Sequence, residues 1–312
     1  MIGTTGVASL SVLLVFSAGC SRKAASAPAA GTQSRAAPPQ PLQEEITDIA
    51  APAKGRVGVS AVLLETAKPI ASLNPQDHFP MQSVYKLPIS MAVMKKVDDG
   101  KLKLEQKVRI AKKDYVGRAA HSPIRDRYPN GTELSVNDLL RFALSESDGT
   151  ASDILMKLAG GHAAVQAYLT ELGIKDVIVL DTEKSFTEDH SLQYRNFATP
   201  DAAVSLLRAL YEHRRLSESS QALLLKFLAE STTGPNRLKG LLPPGTIVAH
   251  KTGTAATQDG VTAATNDIGI ITLPNGKHLA IAVFVSDSPA GEATREATIA
   301  KIAKAVWDLA SK

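Results

Sequence analysis

VGVSAVLLET, residues 57–66, is rich in Val and Leu, free of proline and only ten residues long, which reads as a β-strand. Pro69 to Asn74 follows as its return, so the body of the chain opens with a hairpin. Three more strand patterns stand near the other end, at Thr246 to Thr254, Asp267 to Thr272 and His278 to Val285, with Pro274-Asn275-Gly276 as the turn between the last two. Between the two sets the periodicity is helical. Ser83 to Asp99 places Leu87, Met91, Met94 and Val97 near 3.6 spacing, with Gly100 as a stop. Val136 to Ser145, Ser152 to Leu158, Ala163 to Leu172, Asp201 to Glu212 and Ser219 to Ala229 continue in that manner. Glu292 to Ala310 closes the chain as a helix, with Trp307 expected against the sheet. Strands at both ends with helices between and after them predict an α/β (α+β) fold: one antiparallel sheet flanked by helices, with an inserted all-α lobe. The sheet lobe is expected at 54–80 and 233–312 and the helical lobe at 81–232, with no internal repeat.

A chain of 312 residues with 44% hydrophobic and 21% charged side chains is of ordinary globular composition and can bury an ample core. Its 35 basic and 31 acidic groups leave a net charge of +4, and no Lys/Arg run is interleaved with aromatics, so nucleic acid is a poor candidate partner. A single cysteine, Cys20, excludes an internal disulfide, a cysteine-based zinc site and an iron–sulfur cluster. His78, His162, His190, His213, His250 and His278 show no H-x-x-x-H or H-x-H spacing, which argues against a metal centre. No cofactor is expected.

Gly6 to Gly19 (GVASLSVLLVFSAG) is uncharged, and as a helix would span about 21 Å, short of a bilayer's roughly 30 Å hydrocarbon core. That is signal-peptide length. The small residues Ser17-Ala18-Gly19 directly before Cys20 resemble a bacterial lipobox, although Ser17 stands where Leu is usual and no Lys or Arg precedes the apolar run. Residues 1–19 are therefore expected to be a lipoprotein-type signal peptide, with Cys20 lipidated and the protein anchored in the periplasm. The alternative is a plain secretory signal cut between Ala18 and Ala30, giving a soluble periplasmic protein. Residues 20–53, rich in Ala, Pro, Ser and Gln, are expected to be a flexible tether ahead of a catalytic domain at 54–312.

Chemistry-bearing residues fall in three groups. Ser83-Val84-Tyr85-Lys86 puts a hydroxyl and an amine three apart, on one helix face. Serine needs a base within hydrogen-bond reach, and a helix start offers partial positive charge to an oxyanion. Pro88 sits awkwardly inside the proposed helix. Ser147-Asp148-Gly149 lies in a loop between two helical stretches. His250-Lys251-Thr252-Gly253-Thr254 ends a strand. Each alone reads as a helix start, a turn and a strand end. In this order, Ser-x-x-Lys, Ser-Asp-x and Lys-Thr-Gly form the triplet of penicillin-recognising serine enzymes.

With QSVYKLPI, HSPIRDRYPNGTELS, SESDG, LQYRNFATP, TTGPNRLKG, IVAHKTGT and ATNDIGIITLPNG in place, the chain resembles the class A serine β-lactamases from about Val57 to Trp307. Within them it looks most like the PER/VEB-type extended-spectrum branch. The resemblance implies a β-lactamase/transpeptidase-like fold with the site between an α/β and an all-α lobe. It implies a small-molecule β-lactam substrate, a monomer, and membrane contact only through the N-terminal lipid. It also implies residue roles: Ser83 the acylated nucleophile, Lys86 its partner base, Ser147 the proton relay to the β-lactam nitrogen, Lys251 the cation behind that relay, and Thr252 and Thr254 hydroxyls near the substrate carboxylate. The backbone N–H groups of Ser83 and Thr254 match the oxyanion hole. Gly253 is expected to leave room for an acyl side chain along the strand edge.

Glu183 matches the Ω-loop glutamate that activates the deacylating water, with Glu188 as the fallback. Asp181 stands where most members have Arg, so the usual loop salt bridge is expected to be absent, and Thr187 replaces a water-orienting Asn. Gly149 replaces an Asn that binds the acylamido carbonyl, a loss of about 0.5–1.5 kcal/mol. Ile268 replaces a carboxylate-binding Arg, a role that passes to Arg237. His121 falls at a gate position that is normally aromatic. A penicillin-binding DD-peptidase and a non-hydrolytic β-lactam sensor share the three motifs and are the rival readings.

Overall fold

The computed structural model describes residues 40–312. The expected signal peptide, Cys20 and the tether as far as residue 39 lie outside the described residues. The described residues form ten helices: α1 Gln40–Ala50, α2 Lys86–Asp98, α3 Pro123–Arg127, α4 Val136–Ser145, α5 Gly149–Ala159, α6 His162–Glu171, α7 Glu183–Glu188, α8 Pro200–Tyr211, α9 Glu218–Ala229 and α10 Glu292–Ala310. The main sheet contains β1 Arg56–Leu63, β2 Lys68–Leu73, β8 Val248–Thr254, β10 Val261–Thr272 and β11 His278–Ser288, in the order β2-β1-β11-β10-β8, with β9 Thr257–Gln258 added to β10. Three short strands, β3 Phe79–Pro80, β6 Val177–Ile178 and β7 Phe197–Ala198, form a ribbon, and β4 Lys107–Ile110 pairs with β5 Thr132–Ser135.

Every pairing in the main sheet is antiparallel, and the N-terminal hairpin is zipped onto the C-terminal strands as Val57↔Val285 through Leu63↔Leu279. The period-2 alternation of a strand then sends its side chains to two different cores. Val57, Val59, Ala61, Ile281, Val283 and Val285 face α1 and α10, where they meet Ile46, Ile302 and Val306. Val62, Ala280, Ala282 and Phe284 face the other way, with Phe284 stacked on Phe79 at 5.6 Å. Because both faces are covered, β11 reads as a near-continuous apolar run from Leu279 to Val285, while β10 buries Thr265, Asn266 and Asp267 ahead of its apolar half.

α2 is buried from Lys86 to Met94, with α4, α5, α6 and α9 around it. A helix enclosed on all sides carries no polar face. It is the axis of the helical lobe, and its N-terminus is aimed at the edge of the sheet.

Three expectations need correction. The tether does not extend to residue 53, because Gln40–Ala50 is helical, with Leu42, Ile46 and Ala50 buried at i, i+4 and i+8 beside α10. Three apolar anchors in an Ala/Pro-rich stretch were too sparse to show as a periodic pattern. The sheet lobe thus begins at 40. Second, α8 lies within the expected helical lobe in sequence but packs on β1 and β11, with Ser60 Oγ donating to Asp201 Oδ1 at 2.6 Å. Third, Ser83 is not inside an α-helix: Gln82–Tyr85 is a 3₁₀ turn, and α2 starts at Lys86. Pro88 is then the third residue of α2, where an N–H has no intrahelical acceptor, so the proline fits without distortion.

Candidate active site

The 3₁₀ turn carrying Ser83 lies against the end of β8, the sheet's edge strand. Lys86, one turn on and 2% exposed, has a partner for each of its three N–H groups: Ser83 Oγ at 2.9 Å, Ser147 O at 2.7 Å and Glu183 Oε1 at 2.9 Å. One amine therefore joins the hydroxyl, the loop after α4 and the start of α7.

Ser147 has φ 57, a left-handed conformation costly for a non-glycine residue. It is held by its neighbours on both sides. Its carbonyl takes the Lys86 bond, and Asp148 caps α5 through Ala151 N at 2.7 Å while also accepting Ile124 N at 2.7 Å. Burial pushes the Asp148 carboxyl up, and these backbone donors oppose it. The strained backbone presents Ser147 Oγ to Lys251 Nζ at 2.9 Å. Lys251 is fully buried, and desolvation drives its ammonium well below the ordinary lysine range; the Lys86 charge adds to the effect, while Asp267 and Glu183 oppose it.

On the same strand, Thr252 Oγ1 lies 2.6 Å from Thr233 Oγ1, and Thr254 is exposed at the strand's end. Gly253 is needed for a reason the sequence did not give. A Cβ there would run into the Met81 carbonyl oxygen and crowd Gln82, so the glycine lets β8 lie directly on the nucleophile's turn.

Glu183 opens α7, whose N-cap Thr182 accepts from Ser185 N. The backbone N–H groups of Glu183 and Lys184 donate to the two oxygens of Asp153 at 2.9 and 3.0 Å. Asp153 is buried in α5, and its carboxyl is pushed up to about 7, first by desolvation and then by the Glu183 charge. The loop is closed from its other end by Asn196, which accepts Leu180 N and Asp181 N and donates to Asp181 O. With Asp181 in place of the usual Arg, the loop carries a different ion pair: Asp181 Oδ2 lies 3.3 Å from Arg195 Nε, acid and base together within the loop.

Around these groups is a cleft of about 200 Å³ lined by Ser83, Lys86, His121, Glu183, Thr187 and Thr254. His121 does line it, with Nε2 2.9 Å from Glu146 O. Thr187 lines it too, but its hydroxyl is turned back onto Lys184 O at 2.7 Å. Gly149, first residue of α5, backs onto Glu183: a Cβ would stand 3.1 Å from Glu183 Cγ and 3.2 Å from His121 O. Glu188 is exposed at the far end of α7, outside the lining. Ile268 is fully buried opposite Lys251 in the β8–β10 register. Arg237, 3% exposed, lies beside β8; its Nε meets Glu296 Oε1 at 3.0 Å, and one terminal nitrogen donates to Gly253 O and Asn266 O. Among the described residues no cluster of three or more His, Cys, Asp or Glu is arranged to hold a metal, and no helix is long and apolar enough to cross a membrane.

The sequence model of the β-lactamase enzyme family matches residues 41–310. The chain belongs to that family. It is 44% identical to the extended-spectrum β-lactamase PER-1 of Pseudomonas aeruginosa, over 87% of this chain and 88% of that protein. To the β-lactamase VEB-1 of the same organism it is 42% identical, over 86% and 89%. Among solved structures, a β-lactamase from Chitinophaga pinensis superposes with a TM-score of 0.84 at 45% identity, covering 87% of this chain and all of that one. The extended-spectrum TLA-1 enzyme superposes equally well at 43% identity, over 87% and 99% of the two chains. The two-lobed class A fold expected from the sequence is thus shown.

In this β-lactamase the residues that hold the site together are partly ones the motifs do not contain. Asp153 and Asn196 fix the loop of Glu183, and Gln82 Nε2 donates to Gln193 Oε1 at 2.8 Å across the cleft. An acid set among Ile154, Leu155 and Met156 was the one sequence signal for Asp153. Asn196 and the glutamine pair gave none, since exposed loop amides are common.

Proposed function

We propose that this β-lactamase opens the β-lactam ring of penicillins and cephalosporins, extended-spectrum cephalosporins included, through an acyl-enzyme on Ser83, and so confers antibiotic resistance. The observation that carries this reading is the position of Lys86 Nζ, 2.9 Å from both Ser83 Oγ and Glu183 Oε1. Passing a proton from Lys86 to Glu183 leaves a free amine beside the serine hydroxyl. Ser83 Oγ gives its proton to that amine and attacks the lactam carbonyl. The ring C–N bond breaks, and the departing nitrogen takes a proton from Ser147, whose hydroxyl faces Lys251. The Lys86 ammonium formed in that attack reprotonates Ser147 and takes back the proton held by Glu183. The Glu183 carboxylate then accepts a proton from water, the water oxygen attacks the ester carbonyl, and the departing Ser83 oxygen takes that proton from Glu183.

Lys251, Thr252, Thr254 and, from beneath β8, Arg237 supply the positive charge and donors for the substrate carboxylate. His121 forms one wall, and Ala119, Ala120, Ala255 and Ala256 leave the mouth free of bulk, which suits large acyl side chains. Ser83→Ala should abolish nitrocefin turnover. Glu183→Ala should leave an acyl-enzyme visible by intact mass. One equivalent of penicillin consumed and permanently retained by the wild type would overturn hydrolysis.

We further propose export to the periplasm with lipidation at Cys20, on the strength of the Ser17-Ala18-Gly19-Cys20 sequence, and a monomeric catalytic body. Palmitate labelling lost in Cys20→Ala would support the anchor, and labelling that persists would refute it.

A further inference from the structure

Asn266 of β10 is fully buried and sits opposite Gly253 in the β8–β10 register, so the two share a face of the sheet. A Cβ on Gly253 would stand 3.3 Å from Asn266 Nδ2, and its absence leaves the amide a path to the segment ahead of Ser83. There Asn266 Nδ2 donates to Pro80 O at 2.8 Å and to Met81 O at 3.2 Å. Both partners are backbone carbonyls, which fixes the nitrogen as the end that faces them. Asn266 Oδ1 is buried with no partner among the described residues. An amide that leaves its own oxygen dry and unbonded is a poor source of net stability, which points to position as what its two donor bonds serve.

What they hold is the turn of the nucleophile. Gln82, between Met81 and Ser83, has φ 47, a left-handed conformation unfavourable for a residue with a side chain. Such a backbone persists where its surroundings fix it from several directions. Met81 N donates to Asn196 O at 2.8 Å, which ties the turn to the loop of Glu183, and Met81 O accepts Val84 N at 3.2 Å within the turn itself. Asn266 supplies the tie to the main sheet. Met81 lies two residues before Ser83 and Gly253 one before Thr254, so the asparagine spans the two segments that carry the Ser83 and Thr254 N–H groups. Arg237 fixes the strand side of that span, since one of its terminal nitrogens donates to both Gly253 O and Asn266 O.

We propose that Asn266 is a positioning residue that sets the spacing of the oxyanion hole, by holding the Ser83 turn against β8 through the carbonyls of Pro80 and Met81. The inference rests on the oxyanion role that the resemblance gives to the Ser83 and Thr254 N–H groups, and adds to it a fully buried side chain outside the three motifs. Donors aimed at an oxyanion act through distance. A hole held slightly too wide serves the tetrahedral stages of acylation and deacylation alike less well.

The test is the carbonyl stretch of the Ser83 ester, read by infrared difference spectroscopy on acyl-enzyme formed from a penicillin in the Glu183→Ala background. Asn266→Ala removes both donors and should move that band to higher wavenumber, because weaker hydrogen bonds leave the C=O less polarised. With Glu183 intact, the same substitution should lower kcat/KM, which reports acylation, and the deacylation rate together, each by about tenfold or more. The dissociation constant of an arylboronic acid, whose adduct on Ser83 places a boron-bound oxygen in the hole, should rise alongside. Asn266→Ser, small and still able to donate one bond, should shift all three in the same direction by less, and is the variant to read where the alanine folds poorly. Ile46→Ala loosens the far side of the sheet and should leave the band and the boronate affinity unchanged, so lost stability alone does not produce the shift. Folded Asn266 variants with an unmoved band and unchanged boronate affinity would overturn the proposal, as would lost stability with full activity per folded molecule, which would mark a merely structural tie. Should Glu183→Ala retain no acyl-enzyme, the role of Glu183 fails, and the boronate constant still decides for Asn266; the two failures are thereby told apart.

Discussion

Asp153 holds Glu183 by its backbone, not by its carboxylate: the Glu183 N–H donates to Asp153 Oδ1 at 2.9 Å, and the next N–H, of Lys184, takes Oδ2 at 3.0 Å. The first turn of α7 is thus capped by a buried acid from a different helix, which leaves the Glu183 side chain free to reach Lys86. An asparagine would keep one acceptor but aim an N–H₂ at the other donor. Asp153→Asn should therefore let α7 drift and slow deacylation, the step for which the proposed mechanism makes Glu183 the base. A kcat at least tenfold lower, with acyl-enzyme accumulating by intact mass because deacylation slows more than acylation, is the expected result. Equal losses in acylation would show that the clamp serves the whole site.

The same carboxyl gives stability a defined pH dependence. Its pKa is raised from 3.8 to about 7 by burial and by the Glu183 charge, so the folded protein holds a proton that the unfolded chain releases earlier. For an acid shifted upward, the contribution to stability is complete below about pH 3.8 and declines as pH rises to about 7. The asparagine variant has no such titration. Urea unfolding at several pH values should show wild-type stability falling relative to Asp153→Asn between pH 4 and 7, by up to about 4 kcal/mol. A constant difference across that interval would mean that Asp153 stays ionised throughout.

At Gly253 the edge strand β8 lies directly on the segment that leads into the Ser83 turn. A methyl group there meets the Met81 carbonyl, and backbone cannot swing aside as a long side chain can. Gly253→Ala should separate β8 from the Ser83 turn, with a loss of roughly 1–3 kcal/mol from overpacking and at least a hundredfold in kcat/KM. Thermal unfolding and nitrocefin kinetics measure the two effects separately. Full activity would show that the turn can shift without disturbing the nucleophile.

How much of this was legible in the sequence follows from the range of the interactions involved. The strands 57–66 and 278–285 showed as apolar runs because both faces of the sheet are covered, and their pairing followed from each needing a partner. Ser83, Lys86, Ser147 and Lys251 stood out in the sequence because the motifs that carry them have fixed local spacing, and Glu183 because of the resemblance. The supports of the site did not, because they are contacts between distant segments. The Asp153 clamp spans 30 residues, the Gln82–Gln193 bond spans 111, and no local pattern encodes either. For Gly253 the sequence pointed to the substrate side of the strand, and only the packed chain shows that Met81 lies against it. The 3₁₀ turn at Gln82–Tyr85 was hidden because apolar spacing near 3.6 continues smoothly from it into α2.

The helix Gln40–Ala50 offers the plainest contest between composition and packing. Its residues look like linker, yet Ile46 is fully buried and Leu42 and Ala50 nearly so, in the core shared with Val283, Ile302 and Val306 of β11 and α10. If the helix is part of the folded body, emptying the Ile46 site must cost the transfer of its side chain plus a cavity. Ile46→Ala should lose about 2–5 kcal/mol and lower the melting temperature by several degrees, while leaving nitrocefin KM unchanged because the site lies on the opposite side of the sheet. Thr47→Ala, an exposed neighbour whose hydroxyl bonds only Gln43 O, should change stability by less than about 0.5 kcal/mol. Equal, negligible effects in both variants would return this segment to the tether.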